Sequence, residues 1–246
     1  MSANVRRWLA LAIILSLPAS APAAEADFAA ARDRMVETIA AIARTAAAQS
    51  GGAIDPAVLA AMRQVPRHEL VPADLRHLAY TDSPLSIGFG QTISQPYIVA
   101  LMTSLAKPAR EHVVLEVGTG SGYQAAVLAR LVAHVYSIEI VAPLAGRAAE
   151  RLKALGYGNV TVRHGDGYKG WPEHAPFDVI VVTAAADHIP TPLVEQLKPG
   201  GRMVIPVGAT SLTQHLMLVE KDREGRAHTR RAVLPVRFVP LTGGNR

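Results

Sequence analysis

VLEVGTGSGYQ, residues 114–124, reads as a strand, a turn and the opening of a helix. Its apolar, β-branched first half extends back to His112. Its end starts the helical pattern YQAAVLARL, residues 123–131. Between them stand Gly118, Gly120 and Gly122. Glycine lets a backbone turn tightly and approach a ligand closely. A strand that enters a helix through such a turn is the first half of a βαβ unit.

The same alternation continues outward. HVYSIEI (134–140) is a second strand, followed by a helix over about 142–154. NVTVRH (159–164) is a third strand, and FDVIVVTA (177–184) is a fourth, apolar enough to be central. A short helix over about 190–197 leads through Pro199-Gly200-Gly201 to the strand RMVIPV (202–207). HLMLVEKD (215–222) and RRAVLPVRFVPL (230–241) read as an antiparallel pair at the edge. Upstream, Phe28, Met35, Ile39, Ile42 and Ala46 keep helical spacing. Asp55-Pro56 opens a further helix, with Asp as N-cap and Ile54 and Leu59 placed as a staple. An irregular stretch follows over 65–95, and another helix starts at about Pro96. The expected fold class is α/β: a doubly wound sheet, mostly parallel with an antiparallel C-terminal edge, preceded by a helical extension to about residue 110.

Composition narrows the function classes. The 246 residues are 50% hydrophobic and 18% charged, which excludes a disordered or low-complexity chain. Absence of cysteine excludes thiolate metal sites, disulfides and cysteine nucleophiles. No nucleic-acid partner is expected, because the net charge is only +5 and aromatics are 5%. The nine histidines show no ligand spacing, and His68 and His77 read as solvated or core residues, so no metal is expected.

The N-terminus reads as an address. Arg6 and Arg7 precede the apolar run Trp8–Leu17, and small residues follow Pro18, with A-x-A at 21–23 and 24–26. Ten residues rise only about 15 Å as a helix, against a hydrocarbon core of roughly 30 Å. Residues 1–24 are therefore expected to be a cleaved signal, cut after Ala23 or Ala24. The remainder, 25–246, would be one exported domain without a membrane span, placed in a bacterial periplasm.

The glycine loop has two competing ligands. A dinucleotide fingerprint is GxGxxG, whereas this loop is Glu116-x-Gly118-x-Gly120-x-Gly122. A dinucleotide brings a pyrophosphate, which an acid beside the loop repels. S-adenosylmethionine brings a sulfonium and an ammonium, which the acid favours. Glu139 closes the next strand, where a carboxylate can accept both ribose hydroxyls. Asp166-Gly167 follows the third strand and is placed to meet adenine. The reading is a Rossmann-like S-adenosylmethionine-dependent methyltransferase. The alternatives are a dinucleotide-dependent oxidoreductase and a catalytically silent binding module of the same fold.

Further motifs carry a more specific resemblance. Val65-Pro66-Arg67, Leu70-Val71-Pro72, PLSIG (84–88) and GQTISQPY (90–97) resemble the N-terminal signature of protein-L-isoaspartate (D-aspartate) O-methyltransferases. VLEVGTGSGYQ, YSIE (136–139), RHGDGYKGW (163–171), PFDVIVVTAA (176–185), LKPGGRMVIPVG (197–208) and VRFVPL (236–241) are similar to the family's other blocks, over roughly residues 55–241. Ile140 departs from a position that is often basic, and Ala186-Asp187-His188 from a more proline-rich turn.

The resemblance implies methylation of the α-carboxylate of L-isoaspartyl residues, and often of D-aspartyl residues, in damaged proteins. The ester then cyclises to a succinimide, whose hydrolysis returns some normal aspartate. Isoaspartyl proteins and peptides are the implied partners, and a monomer is expected. The expected cofactor set is Glu116, Gly118, Thr119, Gly120, Gly122, Glu139, Ile140, Asp166, Gly167 and Thr183. Ser94 is the expected catalytic residue, positioning the acceptor carboxylate, although its place before Pro96 also suits an N-cap. Thr92 and Ile93 are expected beside it. Val236, Phe238 and Val239 are either plain edge strand or, as the resemblance implies, backbone that pairs with the substrate peptide. Asp187 reads as a helix cap, with a site role for Asp187-His188 as the alternative. Lys221-Asp222-Arg223-Glu224 reads as a solvated hairpin turn.

Overall fold

The computed structural model describes residues 21–50, 53–209 and 213–244. The signal expected over 1–24 lies outside them for residues 1–20. Residues 21–24 form the first turn of helix α1 (Ala21–Ser50).

Helix α1 buries Met35, Val36, Ile39 and Ala43 along one stripe and packs on α2 (Pro56–Gln64) and α3 (Pro96–Ala106). Asp55 caps α2 as expected, accepting the Ala57 N–H at 2.8 Å. Two 3₁₀ turns, Arg67–Leu70 and Ala73–Leu78, occupy the stretch expected to be irregular. A small hairpin follows, β1 (Leu85–Gly88) and β2 (Gln91–Ile93).

The main sheet has seven strands. They are β3 (Val113–Val117), β4 (His134–Glu139), β5 (Val160–His164), β6 (Phe177–Val182), β7 (Leu197–Val207), β8 (Gln214–Lys221) and β9 (Ala227–Val236). Their order is β5-β4-β3-β6-β7-β8-β9, so β6 is central as its apolar sequence demands. Pairing is parallel from β5 to β7 and antiparallel at β7–β8–β9. Strand β7 starts earlier than expected and takes in Pro199-Gly200-Gly201, with an irregular register between Phe177 and Val179 of β6.

Alternation along the strands gives two cores. Val114, Val179 and Val204 face α1 to α4 and α5 (Ala142–Ala154). Here α4 is Tyr123–Ala129. Leu115, Ile180 and Met203 face the other way, toward Trp171, Leu193 of α6 (Thr191–Glu195) and Leu241. Burial on both faces is why the central strands read as continuous apolar runs. Lys221 departs from the solvated reading. Its ammonium donates to the carbonyls of Leu197 at 2.8 Å and Val194 at 3.1 Å, tying the hairpin to the end of α6. Among the described residues, no helix is long and apolar enough to cross a membrane.

Candidate active site

Crossovers leave β3 and β6 in opposite directions, and ligands of such sheets sit at the carboxyl ends of the strands flanking that point. Gly118 follows β3 and Thr183 follows β6. Gly118, Gly120 and Gly122 have φ of +97°, +52° and +87°, which a side chain would strain. A Cβ on Gly118 would also lie 2.4 Å from the Thr183 hydroxyl. That hydroxyl donates to the Gly118 carbonyl at 2.5 Å and fastens the turn to β6. A Cβ on Gly122 would instead meet Leu152 of α5 at 3.1 Å, so Gly122 serves helix packing rather than the cavity.

The two loop acids separate. Glu139 reaches the cavity edge, where its carboxylate accepts the N–H of Gly120 at 2.7 Å and of Val141 at 2.8 Å. Glu116 does not line the cavity. It is fully buried behind the loop and accepts a hydrogen bond from Ser137, whose hydroxyl also meets Thr119 at 2.5 Å. Burial pushes the Glu116 carboxyl up to about 8, and the Ser137 donor only partly opposes this. Glu116 and Thr119, expected as cofactor contacts, therefore shape the loop from beneath. The sequence places an acid there but not the direction in which it points.

Two connected compartments open at the sheet edge. The inner one, about 50 Å³, is lined by Gly118, Gly120, Glu139, Ile140, Gly167 and the segment Val239–Thr242. The outer groove, about 1110 Å³, is lined by Ser94, Tyr97, Gln214 and the segment Leu234–Pro240. Thr92, Thr183, Val239 and Pro240 belong to both. Asp166 stands just beyond the inner wall. Its carboxylate accepts the N–H of Tyr168 at 3.0 Å and of Gly244 at 2.9 Å, so the chain's C-terminal segment rests on it.

Ser94 faces the outer groove, and its hydroxyl has no partner among the described residues. The N-cap of α3 is Gln95, so the capping reading of Ser94 is corrected. Ile93 is buried in the core and does not line the groove. The backbone of VRFVP is partly spent. The Gln214 amide clamps Phe238, accepting its N–H at 2.6 Å and donating to its carbonyl at 3.1 Å. Val239 O accepts from Ala185, and Val236 is in register with Gln214 of β8. The expectation that Phe238 offers its backbone to a peptide is corrected, because a side chain from β8 already satisfies it. Gln214 carries no sequence signal, since its partner is 24 residues away. Asp187 caps no helix. It pairs with His188 at 2.6 Å, both side chains are exposed, and neither lines either compartment.

The inner compartment tests the cofactor directly. Among its described lining residues there is one carboxylate, Glu139, and no cation. A pyrophosphate would meet a negative charge there without a counter-ion, whereas a sulfonium and ribose hydroxyls find acceptors. Fold and site define a Rossmann-like S-adenosylmethionine-dependent methyltransferase.

The comparisons with known proteins narrow that class. The family model for Protein-L-isoaspartate(D-aspartate) O-methyltransferase (PCMT) matches residues 43–246, and the chain belongs to that family. It is similar to Protein-L-isoaspartate O-methyltransferase 2 of Syntrophobacter fumaroxidans, at 61% identity over 236 residues and 95% of each chain. Similarity to Protein-L-isoaspartate O-methyltransferase 1 of Cupriavidus necator is 61% over 236 residues, covering 96% of this chain and 91% of the relative. A Plasmodium falciparum structure assigned to the same activity, in complex with S-adenosyl-L-homocysteine, aligns with a TM-score of 0.67 at 26% identity. That alignment covers 86% of this chain and 98% of the other. The dinucleotide-dependent oxidoreductase is thereby set aside.

Proposed function

We infer that this chain methylates the α-carboxylate of isoaspartyl residues in damaged proteins, holding the acceptor in the outer groove with Ser94. The observation that carries this reading is the junction of the two compartments at Thr92 and Thr183, with a free Ser94 hydroxyl on the acceptor side.

The acceptor carboxylate is ionised near pH 7, so the site needs no general base. S-adenosylmethionine, when bound, supplies an electrophilic methyl on a sulfonium that leaves as a neutral thioether. That chemistry would exchange a carbon–sulfur bond for a carbon–oxygen bond and leave the electron pair on sulfur, so the site's residues would need to move no proton. The protein supplies alignment and partial desolvation, which can contribute several kcal/mol. Ser94 donates one hydrogen bond to one acceptor oxygen and leaves the other free to attack. Thr183 spends its proton on Gly118 and so fixes the loop rather than the acceptor. Glu139, with two oxygens already aligned by Gly120 and Val141, keeps lone pairs for the ribose hydroxyls. Gly118 and Gly120 keep the near wall free of side chains.

We further propose that the chain works outside the cytoplasm, in a bacterial periplasm. The support is the order of Arg6-Arg7, the apolar run to Leu17 and the small residues after it.

The deciding experiment is transfer of labelled methyl from S-adenosylmethionine to an isoaspartyl peptide, with the matching normal aspartyl peptide as control. Label on the isoaspartyl peptide alone supports the reading. Equal labelling of both, or of neither, overturns it.

A further inference from the structure

We propose that Arg237 makes the acceptor groove read charge, favouring damaged segments that carry an acidic residue beside the isoaspartyl unit. The inference rests on the assignment of the outer groove to the acceptor peptide and adds which peptides it prefers.

Arg237 stands apart in both its backbone and its side chain. Strand β9 ends at Val236, and the chain then crosses the groove to Pro240. Along that crossing Phe238 is clamped by Gln214, Val239 gives its carbonyl to Ala185, and Pro240 has no N–H. The N–H and C=O of Arg237 have no partner among the described residues. Arg237 is thus the position on the crossing best able to pair with an extended peptide, and main-chain pairing is indifferent to sequence.

Its side chain supplies what the backbone lacks. The guanidinium is exposed and makes no ion pair among the described residues. Among the described residues that line the groove, it is the one charged group. Asp82, which bonds the groove-lining Gln95 and Tyr97, spends its two oxygens on the Gln95 amide and the Tyr97 N–H, both at 2.8 Å. An unpaired cation in a neutral groove attracts a carboxylate and repels an ammonium on the bound peptide. The effect is the modest one of a solvent-facing pair and weakens with salt. Specificity arises because repulsion of the basic peptide adds to attraction of the acidic one.

The test uses three isoaspartyl peptides of one length, with Glu, Gln or Lys next to the isoaspartyl residue. The full enzyme and its Arg237→Lys, Arg237→Gln and Arg237→Glu variants are assayed on each for kcat and KM. Native enzyme and Arg237→Lys should prefer the Glu over the Lys peptide by roughly 5- to 10-fold in kcat/KM, carried by KM. Arg237→Gln should flatten the series, Arg237→Glu should invert it, and 0.5 M salt should compress it in every case. The same peptide order in native enzyme and Arg237→Glu would overturn the proposal. So would an equal fall in kcat on all three peptides in Arg237→Gln, because the guanidinium would then act on the acceptor carboxylate itself. Native enzyme that methylates none of the three would overturn the acceptor-groove assignment and the proposal with it.

Discussion

Asp82 accepts the backbone N–H of Tyr97 at 2.8 Å, from 15 residues upstream, and so caps helix α3 in place of a local residue. Its second oxygen takes the Gln95 amide at 2.8 Å. This long-range cap leaves the Ser94 hydroxyl free for the acceptor, and it separates two roles that the sequence merges at one position. Ser94→Ala should lower kcat by about tenfold or more, through lost alignment. Its melting temperature and cofactor affinity should stay close to native. Asp82→Ala should show the reverse emphasis, with about 1 kcal/mol of stability lost with the cap. Thermal melts and single-turnover methylation separate the two. A large drop in melting temperature for Ser94→Ala would return it to a structural part.

Glu139 carries two loads. It holds the Gly120 and Val141 N–H groups, and it is the one carboxylate among the described residues of the inner wall. Glu139→Ala should weaken S-adenosylmethionine binding by about 1–3 kcal/mol, the range for a lost hydrogen bond to a charged group. Glu139→Gln keeps acceptor capacity in one oxygen and should fall between. Calorimetry on both variants reads this out. Equal affinity for Glu139→Ala and native enzyme would remove the ribose assignment.

Legibility divides along a physical line. Element types from β3 to β9 were readable because periodicity and glycine turns are local signals, and Gly118 and Glu139 could be placed because strand ends lie where glycines and acids end apolar runs. Glu116 was misplaced because alternation tells which face a strand residue takes, not whether a loop leaves that face open. Gln214, Asp82 and Lys221 are invisible as clamps because their partners are 13 to 27 residues away. Long-range hydrogen bonds leave no spacing to read.

Buried Glu116 gives a pH signature. Its carboxyl rises from an ordinary 4.5 to about 8, chiefly by burial. Below about pH 4.5 folded and unfolded chains both hold the proton, and the group is silent. Between there and about pH 8 the folded chain keeps a proton that the unfolded chain has lost, so its effect is to lower stability as pH rises. Above about 8 the full penalty of a buried charge remains. Glu116→Gln keeps the shape and removes the titration. Its stability should fall less than native between pH 5 and 8.5, in denaturant melts taken at intervals. Parallel native and variant curves would show that Glu116 is ionised throughout.

The C-terminal segment borders the inner compartment through Leu241 and Thr242. Gly244 donates to Asp166, and a Cβ on Gly243 would lie 2.4 Å from an Asp166 oxygen. A cofactor seated against Leu241 and Thr242 should leave faster when this segment is held less firmly. Gly243→Ala should raise the dissociation rate of S-adenosylhomocysteine by roughly 2- to 10-fold, the worth of one hydrogen bond. Stopped-flow displacement measures it, and an unchanged rate would place the moving part elsewhere.

Phe28 of α1 stacks on His68, with ring centroids 4.0 Å apart, and Glu25 lies 3.4 Å from the same imidazole. His68 is buried, donates to or accepts from the Tyr80 hydroxyl at 2.7 Å, and is held below its usual pKa by that burial. Both of these α1 contacts come from Glu25 and Phe28, which follow the proposed cleavage after Ala23 or Ala24. Cleavage there keeps both of these contacts. A chain starting at Glu25 keeps both contacts and should melt within about 1–2 °C of one starting at Ala21. A chain starting at Ala29 loses the Phe28 stack and should lose about 1 kcal/mol or more. N-terminal sequencing of the protein from fractionated cells, beside these melts, checks both halves of the argument. A periplasmic chain starting at Ala24 or Glu25 supports export with an intact dock. A cytoplasmic chain starting at Met1 or Ser2 overturns export and leaves the methyl-transfer chemistry as it stands.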